Sequence, residues 1–231
     1  MKRLLELENG RWGHASGALW LPACSALLIA DVHFGYSWAQ RRRGELGPLA
    51  DHALNTRIQE ILEELSPSTV VLLGDIVHAP RPSDEEKQLV SDLLASIALG
   101  RNLVLVRGNH DRRFAQDFAS LSYPLATEWR TAGLLAVHGD RLPPVGDEHL
   151  VLGHFHPSYS PRDAAGVRQK LPVFAWTKQT TILPAFSPFA AGADLHRYWT
   201  PTLELALGAG PVRIAACTGK QIALLPFRRP A

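Results

Sequence analysis

The 231-residue chain is predicted to be an α/β protein built on an at least partly parallel sheet. Two observations lead there. Short apolar runs alternate with amphipathic helical patterns through the first half of the chain, and from about residue 167 the pattern changes to strands joined by turns. Taken in order, ALLIADVHF (26–34) reads as a buried strand running into a loop. LADHALNTRIQEILEEL (49–65) places Leu54, Ile58, Ile61, Leu62 and Leu65 at three- and four-residue steps, the signature of an amphipathic helix, and Pro67 follows its end. TVVLLGDIVH (69–78) is a second strand, rich in β-branched residues. The stretch 83–100 reads as a helix, with Ser83 as N-cap, acids in its first turn and Gly100 as its stop. NLVLVRGNHD (102–111), GLLAVHGD (133–140) and HLVLGHFHP (149–157) are the third, fourth and fifth strands. Residues 160–172 read as a surface loop. TTILPAF (180–186) and 212–227 read as further strands, the latter turning at Thr218–Gly219, so the second half is expected to be mainly antiparallel. No internal repeat, low-complexity tract or linker interrupts the chain, and one domain over 1–231 is expected.

Composition narrows the class. Hydrophobic residues are 46% and charged residues 20%, ordinary for a globular protein. Cys24 and Cys217 are far apart and form no C-x-x-C pair. That argues against a disulfide scaffold or a thiolate zinc site and fits a reducing compartment. The start MKRLLELENG meets glutamate at position 6, with no signal-peptide core after it. The apolar stretches fall far short of the ~20 residues of a membrane helix. The expectation is a soluble cytoplasmic protein with no membrane contact. A net charge of +2 does not by itself argue for nucleic acid, but basic clusters stand at 41–43, 112–113 and 228–229.

The chemistry sits where the strands end. After the first come Asp31 and His33; after the second, Gly74 and Asp75; after the third, Gly108, Asn109, His110 and Asp111; after the fourth, His138; after the fifth, His154 and His156. In open α/β sheets, ligands bind beyond the carboxyl ends of the strands. Each residue alone has an ordinary reading, as a turn aspartate, a left-handed asparagine or a buried histidine. Jointly, those readings need five coincidences at one sheet edge. Carboxylate, amide oxygen and imidazole without thiolate suit manganese, iron or zinc. One carboxylate can bridge two cations about 3.5–4 Å apart, and a water held between them becomes a hydroxide able to attack phosphorus.

These residues carry a resemblance. DVH, GD, GNHD, HGD and GHFH, in that order over residues 31–156, resemble the five motifs of the calcineurin-like metallophosphoesterase superfamily. The resemblance implies a four-layer α/β/β/α sandwich with mixed sheets and a centre of two divalent metals, manganese foremost, with iron or zinc as alternatives. It implies one metal on Asp31, His33, Asp75 and His156, and another on Asp75, Asn109, His138 and His154, with Asp75 as the bridge. It makes His110 the group that stabilises the transition state or protonates the leaving oxygen, and Asp111 the residue that orients it. DVHFGYSWAQRRRG, LLGDIVHAPR, VLVRGNHDRR, GHFHP and ILPAFSPFAAG further resemble SbcD-related phosphoesterases of the ligase-associated DNA damage response endonuclease type. Two positions depart from pattern. His78 stands where many superfamily members carry an acid, and the fourth motif reads His138-Gly139-Asp140 where many relatives of the narrower type have His-Glu-Pro.

The implied activity is phosphoester hydrolysis, on DNA as a phosphodiesterase or nuclease. A small-molecule phosphatase or nucleotide phosphodiesterase is the alternative, and a metal-binding scaffold of a repair complex the non-enzymatic one. A ligase or helicase partner is implied only by the family's name. Candidate substrate contacts are His78, Arg112 and Arg41, with Arg42, Arg43 and Arg113 beside them as backbone-phosphate binders or solvated helix faces. Phe34, Tyr36 and Trp38 stand as base-stacking or core residues.

Overall fold

The computed structural model describes residues 2–44, 50–162, 166–190 and 192–230. Leu49, the first residue of the expected second-segment helix, and residues 163–165 of the expected surface loop lie outside them. The chain opens with strands β1 (Leu4–Glu8), β2 (Arg11–His14) and β3 (Leu19–Leu21), followed by β4 (Ala26–Ala30) and the helices α1 (Tyr36–Arg42) and α2 (Ala50–Leu65). Next come β5 (Thr69–Leu73), α3 (Asp84–Ala98), β6 (Asn102–Val106), α4 (Phe114–Asp117) and β7 (Leu125–Ala126). The second half comprises β8 (Trp129–Thr131), β9 (Leu134–Val137), β10 (His149–Leu152), β11 (Pro157–Tyr159), β12 (Leu171–Trp176), β13 (Thr180–Ile182) and β14 (Ala193–Asp194). Helix α5 (Pro201–Leu207) and the strands β15 (Arg213–Cys217) and β16 (Ile222–Leu225) complete it.

Two mixed sheets result. The first runs in the order β1 to β7, antiparallel through β1–β4 and parallel through β4–β7. In the second, β9, β10 and β13 are parallel, while β12 pairs antiparallel with β11, β13 and β15. The strands after residue 167 pair mainly antiparallel, as expected, while the functional loops leave the parallel strands β9 and β10 before them.

The strands read as unbroken apolar runs because both faces are covered. In β4, Leu27 and Ile29 face α2 and α3, meeting Ile58, Ile61, Leu62, Val90, Leu94 and Ile97. Their neighbours Leu28 and Ala30 face the second sheet, meeting Ala136, Val151, Phe174 and Trp176. The outer face of that sheet packs Val173, Ala175 and Ile214 against Leu203, Ala206 and Leu207 of α5. The layers are therefore helix, sheet, sheet, helix.

Local chemistry fixes the helix ends. Ser83 Oγ accepts from Glu86 N–H at 3.3 Å and Glu86 Oε2 accepts from Ser83 N–H at 2.6 Å, a reciprocal cap at the expected N-terminus of α3. The first strand ends at Ala30 and runs into a loop, as expected. Other boundaries differ from expectation. The expected loop 160–172 gives its last two residues to β12, a strand the sequence reading missed along with β1–β3 and α5. Among the described residues no helix is long and apolar enough to cross a membrane.

Candidate metal centre

Register brings the site together. In the first sheet Ala30 lies beside Leu73, and Leu73 beside Val106. In the second, Val137 lies beside Leu152, and Leu152 beside Ile182. The parallel strands end level, so the loops leaving them start at one height. Asp31 and His33 leave β4, Asp75 leaves β5, Asn109 and His110 leave β6, His138 leaves β9, and His154 and His156 leave β10.

The loops are tightly coiled. Of the eight non-glycine residues with positive φ among those described, five are Asp31, His33, Asp75, His154 and His156, at 56°, 49°, 47°, 61° and 43°. Such conformations cost on the order of 1–2 kcal/mol each and gather where function requires them. Two glycines make room. A Cβ on Gly74, itself at φ 78°, would lie 2.1 Å from His138 Nδ1. A Cβ on Gly108 would lie 2.2 Å from Asp75 Oδ1.

The donors gather at two adjacent foci. One ligand atom from each of Asp31, His33, Asp75 and His156 falls within 4.8 Å of the others, as do those of Asp75, His138 and His154. Asp75 belongs to both sets. Asn109 Oδ1 adds to the second, 3.1 Å from His138 Nε2. His110 stands beside them with its side chain 40% exposed, Nε2 3.9 Å from Asp75 Oδ2, and its backbone N–H donating to Asp75 Oδ1 at 2.9 Å.

The contacts fit cations better than they fit one another. Leu73 O lies 3.3 Å from His138 Nδ1 and accepts its proton if that nitrogen carries it, which leaves a lone pair on Nε2. That lone pair then faces Asn109 Oδ1 at 3.1 Å, His154 Nδ1 at 3.2 Å and Asp75 Oδ1 at 3.4 Å. One ring N–H could satisfy at most one of these, whereas a cation satisfies all of them. At the first focus His156 Nε2 lies 3.1 Å from Asp31 Oδ1, yet it is buried without an aligned hydrogen bond.

Electrostatics agrees. Burial pulls His33 down to about 4, against the attraction of Asp31 and Asp75. Burial and neighbouring His138 lower His154. These rings are neutral at neutral pH, the form that binds metal. Burial opposes charge on Asp31, but His156, His138 and His33 around it hold its carboxyl below the usual value. The same Asp31 raises His156 despite burial.

Several expected roles are redistributed. Among the described residues the Asp111 carboxylate makes no hydrogen bond to the His110 ring. It accepts from Ile76 N–H at 2.9 Å, Val77 N–H at 3.1 Å and Gly108 N–H at 2.8 Å, bracing the Asp75 loop against the Asn109 loop, and burial pushes it up to about 6. Phe34 is fully buried in the core under α2 and α3 and stacks no base. Arg42 pairs with buried Glu86 at 2.6 Å. Arg41 lies over the Trp38 ring at 5.6 Å. Arg43 is exposed, and its charge helps lower His78, after burial and His110. Arg113 pairs with Asp117 at 3.5 Å, while Arg112 is exposed with no ion pair among the described residues.

The donor cluster opens into a cleft of about 280 Å³ whose lining includes His33, Tyr36, Asp75, His78, His110, His156 and Phe189. Sequence reasoning missed two contributors. Phe186 N–H donates to Ala30 O and Ser187 N–H to Asp31 O, so the segment 183–190 is stitched to the first metal loop and delivers Phe189 to the cleft. Arg57 donates to Phe186 O at 2.7 Å and Ser16 O at 3.0 Å and holds that segment. Its signal was present: a cation three residues after Leu54 and four before Ile61, on the apolar stripe of α2.

The comparisons with known proteins agree with this geometry. Residues 25–208 match the family described as calcineurin-like phosphoesterase. Among solved structures, Pseudomonas putida nuclease MPE is 27% identical with a TM-score of 0.72, covering 97% of this chain and 100% of that one. YfcE, a phosphoesterase from E. coli, is 16% identical with a TM-score of 0.47, covering 88% of this chain and 99% of that one. No curated protein matches.

Proposed function

We infer the function from one premise: the chain belongs to the calcineurin-like phosphoesterase family. It is a metal-dependent phosphoester hydrolase. We propose further that it is a phosphodiesterase acting on DNA, with two manganese ions as its working metals. The observation that carries this reading is the pair of donor sets sharing Asp75, with His110 over the same cleft.

Asp31, His33, Asp75 and His156 would hold one cation, and Asp75, Asn109, His138 and His154 the other. Oxygen and imidazole donors without thiolate suit manganese. Bound there, the pair supplies charge neutralisation at the phosphoryl oxygens and a water of lowered pKa. The protein does the rest. Asp75 Oδ1 fixes the His110 backbone, so the half-exposed ring stands where a leaving oxygen departs and can give it a proton. His78 lines the same cleft as a neutral imidazole able to donate its ring N–H to a phosphoryl oxygen. Exposed Arg43 and Arg112 attract the phosphates on either side. The likeness to the nuclease MPE supports a nucleic-acid phosphodiester over a small monoester.

The experiment is hydrolysis of bis(p-nitrophenyl) phosphate and of single-stranded and nicked DNA by manganese-loaded protein. His110→Ala is expected to lower turnover by about 10²–10⁴-fold. DNA binding should weaken with salt, the slope falling by about one for each of Arg43→Ala and Arg112→Ala. No turnover of diesters above the His110→Ala level refutes the phosphodiesterase reading. Turnover confined to small monoesters would transfer the assignment to a phosphatase.

A further inference from the structure

Tyr36 and Phe189 come from opposite ends of the chain to one wall of the metal cleft. Their rings stack with centroids 4.6 Å apart and planes at 14°. Neither belongs to the core. Phe34 and Phe186, close by in sequence, are fully buried, whereas Tyr36 and Phe189 are only half-buried. The pair is held in place rather than left loose. Gln40 Nε2 donates to the Tyr36 hydroxyl at 2.8 Å, and His78 packs edge-on against the Tyr36 ring at 4.7 Å. Phe189 lies two residues beyond Ser187, whose N–H donates to Asp31 O.

From this geometry we propose that Tyr36 and Phe189 form a stacking platform for the nucleobase next to the scissile phosphate. The inference rests on the phosphodiesterase reading and names the part of the substrate that the platform recognises. A run of rings leads from the metal cluster to the platform: His33 to His78 at 5.7 Å, His78 to Tyr36 at 4.7 Å, and Tyr36 to Phe189 at 4.6 Å. A phosphodiester at the metal end therefore has its own nucleoside within reach of the ring faces. Bases stack on aromatic faces whatever their sequence, but a base paired in a duplex has its faces covered by its neighbours. The platform therefore selects an unpaired nucleotide, and it reads no particular base.

Two dinucleotides test this, each with one phosphodiester and one 2-aminopurine, placed 5′ in the first and 3′ in the second. Binding is followed in EDTA by 2-aminopurine fluorescence, which stacking on an aromatic ring quenches. Wild-type protein is expected to quench at least one isomer. Phe189→Ala should abolish the quenching and Phe189→Trp should restore it, a rescue that a merely structural role would not give. With manganese present, replacing the stacked base by an abasic residue should raise KM about 10-fold for wild type, as loss of a stacked base predicts, and by less than twofold for Phe189→Ala. Unquenched fluorescence at saturation, or the same abasic penalty in both proteins, overturns the platform. If wild type hydrolyses the dinucleotides with no base dependence, only the platform fails. If it hydrolyses neither the dinucleotides nor bis(p-nitrophenyl) phosphate, the phosphodiesterase reading fails with it.

Discussion

Gly74→Ala separates backbone strain from damage to the metal centre. The added Cβ would stand 2.1 Å from His138 Nδ1 and 2.4 Å from Cγ, where ordinary contact begins near 3.4 Å, so the ring must retreat by about 1.3 Å. That movement breaks the contact of Nδ1 with Leu73 O, now 3.3 Å, and carries Nε2 away from Asn109 Oδ1, now 3.1 Å. Gly10 is the control. Its φ of 74° nearly equals the 78° of Gly74, but a Cβ there meets nothing within 4 Å. Gly10→Ala should therefore show the conformational penalty alone, about 1 kcal/mol, or ~2–4 °C in melting temperature for a chain of this size. Gly74→Ala adds overpacking of about 1–3 kcal/mol and misplaces a ligand by more than an ångström, which lowers turnover by about 10²-fold or more. Calorimetry, metal content after gel filtration and diester hydrolysis measure the three effects. A Gly74→Ala protein that melts like Gly10→Ala, retains two manganese ions and turns over like wild type would refute this account of the second focus.

Three further outcomes follow from particular side chains. His149 is buried between Lys178 O and Thr181 Oγ1, and burial, with Arg11 nearby, lowers it to about 4. The unfolded chain then holds the extra proton between about pH 4 and 6.5, so this contribution to stability is complete above 6.5 and is lost as pH falls towards 4. His149→Gln should flatten that part of the stability profile in urea titrations, and an unchanged slope would count against the assignment. Burial pushes the Cys217 thiol up to about 12, so Ellman's reagent should label half-buried Cys24 first and reach Cys217 only after denaturation. Equal native labelling rates would contradict this burial. Chelation should lower the melting temperature as well as stop hydrolysis, because metal binds only the folded arrangement of Asp31, Asp75 and their histidines. A melting temperature indifferent to manganese would mean that those donors do not hold it.

The parts that could be read from the sequence were those written in local patterns. Leu27 to Ala30 are apolar on both faces, which announces a doubly covered strand, and Ser83 with Glu86 writes the start of α3 in four residues. The candidate donors were readable as a group because each follows such a strand. The rest depended on partners distant in sequence. β1, β2 and β3 are short, and β1 and β2 are broken by Glu6, Arg11 and Gly13, so no periodicity marks them. They are ordered by pairing and by contacts such as the approach of Phe174 to Gly13. Asp111 looked like a partner for the histidine beside it, but backbone donors 34 and 35 residues away claim its Oδ1 and Gly108 N–H its Oδ2. Phe189 stood inside the quoted segment ILPAFSPFAAG, but its place in the cleft follows from two backbone bonds between the segment 183–190 and Ala30–Asp31, which no local pattern shows.

The two sheets share the work of each focus. Asp31, His33, Asp75 and Asn109 hang from the first sheet, and His138, His154 and His156 from the second. Each donor set takes members from both. Ligand separation is therefore set by the thickness of the apolar layer between the sheets, where Leu28, Ala30, Val71 and Leu73 meet Ala136, Val151, Phe174 and Trp176. Two residues of that layer beside the site are small, one on each sheet: Ala30 and Ala136 precede Asp31 and His138 by one and two positions. Larger side chains there would hold the strand ends apart and spread the donors of each set beyond the reach of one ion. The packing that buries the core and the geometry that gathers the ligands thus answer to the same constraint.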